Sequence, residues 1–308
     1  MLGNFWFKKE KPLLGLTGLG GGVGSNLLAG GGGPWEMPAY ITNTDDLVYY
    51  IDMHTSESYP GSGTAITDLS GASENYATTI EGTLDTDWLW DNSDDASSNP
   101  AWERIEGQHD GYIVTTNTNS SNLQFDTSAF TVEVWVRPHS GVHYFAFFSN
   151  NYDAVGGYQH GSGPNPSPND PYCSMSVVGR GQGGDSGKTR IWIQPGHGYG
   201  TMAMSSSSNW DGYNSSSDQW GDWNHIVLTR SGATYKLYVN SNLEATESDD
   251  HTNDFDGDNY AANFMDDDRT TNRDDFGRFG AARIYKGTAL SSSDITAHYN
   301  GEKAAYGL

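Results

Sequence analysis

Short apolar runs alternate with clusters of Gly, Ser, Asn and Asp from Tyr40 to the C-terminus. This spacing is typical of a sandwich or barrel of antiparallel strands. The clearest run is FTVEVWVRP at residues 130–138, in which three valines alternate with Glu133, Trp135 and Arg137. Strict alternation predicts a half-buried strand, with the valines on the core side and the other three residues on the opposite face.

The same criteria predict eight further strands and one helix. The strands cover residues 46–52, 112–115, 143–149, 174–179, 189–194, 223–230, 234–239 and 278–286. A glycine turn at residues 230–233 separates two of these runs and predicts a hairpin. Ser291 and Asp294 form a capping-box pattern that opens a helix of about two turns. Its apolar stripe is expected to contain Ile295, Ala297, His298 and Tyr299. The pattern therefore predicts an all-β protein with one short C-terminal helix.

The first 34 residues differ in composition from the rest of the chain. Three lysines at positions 8, 9 and 11 against Glu10 give a local charge of +2, and ten of the 39 glycines lie between residues 15 and 33. Glycine-rich sequence has little propensity for helix or strand, and ordering it is costly in entropy. We therefore place a boundary here, with an N-terminal arm at 1–37 and a folded domain at 38–308.

Two interpretations of this arm stay open, a flexible linker and an anchor that holds the domain to neighbouring subunits. We favour the anchor, because the arm begins with an apolar cluster followed by basic residues. The anchoring residues are then Phe5, Trp6, Phe7, Lys8 and Lys9.

Charge and composition restrict the possible partners. There are 39 acidic residues and 16 lysines and arginines, so the formal net charge is −23. A polyanion of this kind repels phosphate groups, which argues against nucleic acid and anionic membranes as partners. Aromatic residues make up 13% of the chain, which predicts a packed core rather than acidic disorder. We also expect no disulfide, because Cys173 is the one cysteine, no membrane span and no secretory signal.

Four stretches resemble the laminin-G-like, concanavalin A-like lectin/glucanase superfamily and occur in the order of that family. They are YYIDMHTSESYPGSGTAITDLSG, FTVEVWVRP, WNHIVLTRSGATYKLYVNS and FGAARIYKGTALSSSDITAHYN, within residues 40–308. The resemblance implies a two-sheet antiparallel jelly-roll sandwich. The SYPGSGT segment followed by DLSG, together with the glycine-rich arm, is similar to jelly-roll modules of tailed-phage virion proteins, including those of marine cyanophages.

This resemblance implies a non-enzymatic virion structural protein of the capsid-decoration, neck or tail-fibre type. The domain would project from the virion surface as a homo-oligomer, with its arm bound to other virion proteins. A carbohydrate-binding adhesin and a subunit of a bacterial surface filament are alternatives. A glucanase-like hydrolase is disfavoured, because the superfamily's catalytic pattern E-x-D-x-x-E is absent. The nearest carboxylates, Glu103 and Glu106, are three residues apart and fall on opposite faces of a strand.

Two aromatic-rich segments are candidates for binding host glycans, since sugar rings stack on exposed Trp and Tyr side chains. The first contains Trp210, Tyr213 and Trp220 in a stretch poor in aliphatic residues. The second contains Trp88 and Trp90, in a stretch that we interpret as a loop. Loop tryptophans also pack over sandwich edges, so a structural role is the alternative.

Calcium is the one cofactor that the sequence suggests. Residues 247–275 contain eleven acids and two arginines, a local charge of −9. Within this stretch Asp254, Asp256 and Asp258 offer oxygen ligands at alternate positions, as calcium prefers. The glycine is fourth rather than sixth, so this is not an EF-hand loop. A solvated acidic loop is the alternative.

Overall fold

The computed structural model describes residues 35–72, 78–81, 88–91, 101–104, 112–115, 123, 125, 128–138, 144–149, 172–178, 188–194, 202–209, 221–248, 263–264 and 277–308. The chain divides into two units, Met1–Gly32 and Gly33–Leu308, and every described residue belongs to the second unit. The predicted anchoring residues 5–9 lie outside the described residues.

The described part of the chain contains sixteen β-strands, one α-helix and two 3-10 helices. The strands are β1 (Leu47–Asp52), β2 (Ala65–Ile66), β3 (Thr78–Glu81), β4 (Trp88–Asp91), β5 (Ala101–Arg104), β6 (Tyr112–Thr115), β7 (Phe130–Pro138), β8 (Tyr144–Ser149), β9 (Tyr172–Val178), β10 (Lys188–Gln194), β11 (Met202–Ser205), β12 (Asn224–Ser231), β13 (Thr234–Val239), β14 (Asn242–Ser248), β15 (Asn263–Phe264) and β16 (Gly277–Lys286). The helices are α1 (Ser292–Glu302) and the 3-10 helices Thr44–Asp46 and Lys303–Tyr306.

The strands form two sheets of eight strands each. Sheet A has the order β14-β13-β12-β7-β16-β5-β4, and its eighth strand, β1, pairs with β16. Sheet B has the order β11-β10-β9-β8-β15-β6-β3-β2. Neighbouring strands run antiparallel in both sheets. The predicted two-sheet jelly-roll sandwich is confirmed, and all nine predicted strands are present with ends that agree to within two residues.

Seven strands were not predicted, because they are short or lack a strict alternation of apolar and polar residues. β2 and β15 have only two residues each. β14 is the edge strand of sheet A, and most of its residues are exposed. An edge strand with solvent beside it needs few apolar side chains, so its sequence carries little periodic signal.

The main core lies between the two sheets. The three valines of β7 are fully buried there beside Ile226 and Leu228 of β12. Burial of a side chain of this size contributes about 1.5–3 kcal/mol relative to leaving it exposed. Sheet B contributes Ile80, Ile113, Phe148, Met204 and Phe264 to the same cluster. The valine face of β7 is therefore the core face, as predicted.

The other face of β7 is buried as well, so the prediction of a half-buried strand is wrong. Glu133 and Trp135 are each only 1% exposed. They are covered because α1 and the 3-10 helix that follows it pack on the outer face of sheet A. Residues 35–43, which we call the N-terminal strap, pack on the same outer face through Trp35 and Ile41. Alternation separates the two faces of a strand, but it does not show whether a further layer covers the outer one.

Helix α1 begins with the predicted capping box. Ser291 Oγ accepts from the Asp294 amide, and the Asp294 carboxylate accepts from the Ser291 amide. The helix is eleven residues long, and its buried residues are Ile295, His298 and Glu302. Two of these three are ionisable, so polar contacts to the sheet replace part of the predicted apolar stripe. None of the helices in the described ranges has the length and apolar character needed to cross a membrane.

Two glycines permit the close approach of the segments on the outer face. A Cβ atom on Gly280 of β16 would lie 2.6 Å from Cε1 of Tyr306. A Cβ atom on Gly301 of α1 would overlap the ring of Tyr40 in the N-terminal strap. Any larger side chain at these positions would therefore displace a tyrosine, so this packing requires glycine at both positions.

Candidate functional site

Most residues predicted to bind ligands lie outside the described residues. These are Trp210, Tyr213, Trp220, Asp254, Asp256 and Asp258. Their roles in glycan and calcium binding therefore stay predictions. We call residues 210–220 the aromatic segment. Within the described ranges there is no group of three or more His, Cys, Asp or Glu residues arranged to hold a metal ion.

Trp88 and Trp90 lie on strand β4, not in a loop as the sequence was interpreted. β4 pairs with β5 at the edge of sheet A, and Trp90 is the register partner of Trp102. Trp102 is in turn the register partner of Phe279, a core residue of β16. Opposed residues of antiparallel strands share a face. The register therefore aligns Trp90 and Trp102 with Phe279 across three neighbouring strands, and the binding of sugar by Trp88 and Trp90 stays a prediction.

Residues 206–209 lead into the aromatic segment, and we call them its first stem. Ser206 follows β11, and its Oγ accepts from the Thr189 amide at 3.1 Å and donates to the Ser208 carbonyl at 2.7 Å. Glu244 of β14 accepts from the Ser208 amide at 2.9 Å and from the Ser207 hydroxyl. Burial by itself would raise the pKa of Glu244, but the bonds from the two serines outweigh it and lower that pKa.

Residues 221–225 follow the aromatic segment, and we call them its second stem. Hydrogen bonds hold this stem as well. Arg137 Nε donates to the Gly221 carbonyl at 2.8 Å. Asn240, in the turn between β13 and β14, donates to Asn224 Oδ1 at 3.0 Å. Its own Oδ1 accepts from the His225 amide at 2.9 Å. Asn240 has a φ of 49°, a left-handed conformation that asparagine tolerates in turns.

Both stems are thus tied to one hairpin, through Asn240 in its turn and Glu244 in β14. These contacts join residues that lie 15 to 37 positions apart in the chain. The hairpin therefore holds the described residues on both sides of the aromatic segment. An aromatic segment with fixed ends loses less conformational entropy on binding a ligand than one with free ends.

A second feature is a buried ionic cluster on the outer face of sheet A. Its members are Glu133 of β7, His225 of β12, Arg283 of β16, and His298 and Glu302 of α1. The Glu133 carboxylate lies 3.0 Å from His298 Nδ1, 3.2 Å from Arg283 Nη1 and 3.6 Å from His225 Nε2. Arg283 also pairs with Glu302. Four elements of the fold therefore meet on one glutamate and one arginine.

Burial and charge act against each other in this cluster. Burial opposes the ionisation of Glu133, but its contacts with His298, His225 and Arg283 outweigh burial and hold the pKa of Glu133 well below its usual range. Burial lowers the pKa of His225 and so favours its neutral form. Burial also opposes the charge on Arg283, yet its neighbours, Tyr50 first and Glu133 next, outweigh burial and raise the pKa of Arg283. Glu133 and Arg283 are therefore a charged pair.

The buried ionic cluster cannot receive a substrate from solvent in this conformation. Glu133 and Arg283 are 1% exposed, and His225 and His298 are 0% exposed. No sequence pattern predicted this cluster, because its members are spread over four elements. The one local signal was a glutamate in the middle of the apolar strand β7.

Beside the cluster, Trp135 forms the centre of an aromatic stack. Its ring centroid lies 4.0 Å from that of Tyr306, 5.0 Å from that of His225 and 5.8 Å from that of Tyr299. Its Nε1 donates to Glu302 Oε2 at 2.6 Å. Trp135 therefore connects the C-terminal helices to the middle of sheet A.

A laminin G family model, described as the concanavalin A-like lectin/glucanases superfamily, matches residues 107–296, which is more than half of the chain. No curated protein matches the chain.

Several solved structures share the fold. The binding domain of Paraclostridial Mosquitocidal Protein 1 has a TM-score of 0.57 and 17% identity, over 83% of this chain and 52% of that one. The receptor binding domain of botulinum neurotoxin D has a TM-score of 0.55 and 14% identity, over 84% and 53%. A structure of botulinum neurotoxin type C, described by its interaction with two ganglioside molecules, has a TM-score of 0.54 and 14% identity, over 83% and 51%. At these identities the likeness shows the fold alone, and the chain spans about half the length of these structures.

Proposed function

The chain belongs to the concanavalin A-like lectin/glucanase superfamily, and we propose that its sandwich is a non-enzymatic, lectin-like domain that binds surface glycans through the aromatic segment. The observation that carries this proposal is the attachment of both stems of the segment to one hairpin, by Glu244 and Asn240. Superfamily membership supports it, because this fold hosts binding sites in other proteins. Botulinum neurotoxin type C, which shares the fold, interacts with gangliosides.

Two observations support a non-catalytic role. The superfamily's paired-carboxylate pattern is absent from the sequence, and Glu103 is at a position of β5 without a second carboxylate two residues away. The carboxylate with histidine neighbours, Glu133, is buried under α1, so it has no access to a polysaccharide. Glycan hydrolysis would need two accessible carboxyl groups that flank the scissile bond.

The glycan-binding proposal predicts loss of affinity on removal of the aromatic rings. An array of surface glycans, probed with the full chain in calcium buffer, should show binding. The changes Trp210→Ala, Tyr213→Ala and Trp220→Ala should each weaken it several-fold, since a ring contact contributes about 0.5–1.5 kcal/mol. Removal of calcium with a chelator tests whether Asp254, Asp256 and Asp258 contribute as the proposed cation site.

The matched control for these variants is Leu308→Ala, because Leu308 is 40% exposed and is the last residue of the chain, outside both stems. It should bind like the native protein. An array without any bound glycan, or aromatic variants that bind as tightly as the control, would contradict the proposal. Trp90→Ala tests the second predicted site and should have no effect if the aromatic segment is the site.

We also propose that the domain projects from the surface of a tailed-phage particle, as a homo-oligomer anchored to other virion proteins by residues 1–37. The similarity of the SYPGSGT and DLSG segments and of the arm to virion modules supports this proposal. Antibodies against the sandwich should label purified particles in electron micrographs. Label on bacterial surface filaments instead would favour the filament alternative, and particles without label would contradict the virion proposal.

A further inference from the structure

Asn300 and Gly301 form the one Asn-Gly pair in the sequence, and they lie in the last turn of α1. Asn300 is exposed to solvent, which supplies the water that its deamidation consumes. In that reaction the backbone nitrogen of the next residue attacks the asparagine carboxamide. Glycine has no Cβ, so the nitrogen of Gly301 is not shielded by a side chain. The pair is therefore a chemically labile point of the chain.

The packing of the N-terminal strap requires the glycine of this pair. A Cβ atom on Gly301 would overlap the ring of Tyr40. The side chain of Asn300 is under no such constraint, because it is exposed. The fold therefore puts an unshielded backbone nitrogen at position 301 for a packing reason, and the asparagine before it completes the reactive pair.

Contacts on both sides of the Asn300–Gly301 bond hold it in the helix. Before the bond, the ring of Tyr299 stacks on Trp135 with the centroids 5.8 Å apart. After the bond, Glu302 accepts from Trp135 Nε1 at 2.6 Å. Attack on the carboxamide requires that ψ of Asn300 leaves its helical value and that the Gly301 amide leaves its helical hydrogen bond. The contacts of Trp135 therefore keep the bond in an unreactive conformation.

We propose that Asn300 is a site of spontaneous deamidation that reacts when the last turn of α1 opens, and that its isoaspartyl product keeps this turn open. In the open turn, the Gly301 nitrogen attacks Cγ of Asn300, the carboxamide nitrogen leaves as ammonia, and a cyclic succinimide forms. Water then adds to the imide. Addition at Cγ gives an aspartyl residue, and addition at the backbone carbonyl gives an isoaspartyl residue. No oxidant or reductant takes part.

Both products act against the packing of the C-terminal helices. Each adds a negative charge to the last turn of α1, where the partial negative charge of the helix C-terminus opposes it. The isoaspartyl product also adds a carbon atom to the main chain, which shifts the residues after it relative to those before it. Trp135 stacks on one residue from each side, Tyr299 and Tyr306, so this shift disrupts its stack. The inference does not depend on glycan binding, because none of these residues belongs to the aromatic segment or its stems.

Storage of the full chain at neutral pH, followed by mass spectrometry of its proteolytic peptides, tests the site. The fraction of chains with a carboxylate at position 300 should rise over weeks, but more slowly than in the chain unfolded in urea. The rate in the folded protein is the rate of the open form multiplied by the open fraction. Folded protein without product while the unfolded chain reacts would overturn the proposal, and so would equal rates in the two.

Trp135→Phe tests the dependence on opening. This variant keeps a ring beside Tyr299 but loses the donor to Glu302, so the rate of deamidation should rise about tenfold, which corresponds to the loss of one hydrogen bond. The matched control is Leu237→Ala, which destabilises the core on the other face of sheet A. It should leave the rate unchanged, because the last turn of α1 opens locally. Equal acceleration in both variants, or in neither, would overturn the proposal.

Two asparagines show whether the Asn-Gly pair is responsible. In Asn300→Gln the attack would have to close a larger ring, which forms much more slowly, so this variant should not change on storage. Asn242 is exposed like Asn300 but is followed by Leu243, whose side chain shields the backbone nitrogen. It should stay unmodified in the same samples. Deamidation at Asn242 at the same rate as at Asn300 would overturn the proposal.

The effect of the product can be measured on the native sequence, without any variant. Stored chains that have gained a charge can be separated from fresh chains by ion exchange. Their amide hydrogens should exchange faster over the 3-10 helix Lys303–Tyr306, whereas those of the core strand β12 should exchange as in fresh chains. Equal exchange of the 3-10 helix in stored and fresh chains would overturn the proposed effect on the last turn.

Discussion

Replacement of Glu133 by alanine is expected to lower the free energy of unfolding by about 3–5 kcal/mol, because it leaves a buried charge without its partner. Arg283 is 1% exposed and would lose the Glu133 carboxylate 3.2 Å from its Nη1 while it keeps its pair with Glu302. His298 would also lose the carboxylate that lies 3.0 Å from its Nδ1 atom. Urea denaturation followed by tryptophan fluorescence measures the loss.

The matched control is Glu247→Ala, which removes an exposed carboxylate from the edge strand β14. It should change the free energy of unfolding by no more than about 0.5 kcal/mol. If the two variants were equally stable, the buried ionic cluster would not support the fold as the structure indicates.

The same glutamate predicts a dependence of stability on pH. Its pKa is held well below the usual range in the folded protein, so its ionised form contributes stability that is fully present above the unfolded pKa, about 4.3. That contribution is lost as the pH falls through the folded pKa. Glu133→Gln lacks this contribution at every pH, so its stability should fall less steeply than that of the native protein below about pH 4.3. Equal slopes would contradict the assignment.

Replacement of Trp135 by alanine is expected to cost about 3–5 kcal/mol of stability, the usual range for removal of a large buried aromatic side chain. The change opens a cavity beneath Tyr306 and removes the donor that pairs with Glu302. Trp135→Phe keeps most of the ring and removes the indole N–H, so it should cost about 1–3 kcal/mol for the buried carboxylate that loses its donor. Denaturant unfolding of both variants gives the two values.

The control for this pair is Trp35→Ala in the N-terminal strap. Trp35 is only partly buried, so its removal should cost clearly less than removal of Trp135. Equal costs would mean that the aromatic stack contributes nothing beyond surface packing. Hydrogen exchange should also show faster opening of the 3-10 helix Lys303–Tyr306 in Trp135→Ala, because Tyr306 loses its stacking partner.

Strands with regular alternation could be predicted from the sequence, and strands at sheet edges could not. β7 and the hairpin of β12 and β13 carry apolar residues at every second position, and their predicted ends agree closely with the structure. Strand β4 contains WLWD, in which three consecutive apolar residues hide the alternation. Its identity as a strand depends on pairing with β5, which begins ten residues later. Pairing across such a gap leaves no local pattern.

The candidate site could be predicted only in part, for the same reason. Aromatic and polar residues at 210–220 indicated a segment suited to sugars, because that composition is local. The attachment of its two stems to the hairpin, through Glu244 and Asn240, is made by hydrogen bonds between distant residues. Neither side chain stands out in the sequence, since exposed strands and turns commonly contain glutamate and asparagine.

The sequence by itself determined that the chain folds into an antiparallel sandwich with a capped C-terminal helix, because alternation, turns and capping act between neighbouring residues. Only the tertiary structure decided that the outer face of sheet A is buried, since burial depends on what packs over a face. It also brought His225 and His298, 73 positions apart, to one carboxylate at Glu133. The charges of the buried ionic cluster come together only when the strands and the helix pack, so no spacing along the chain predicts the contact.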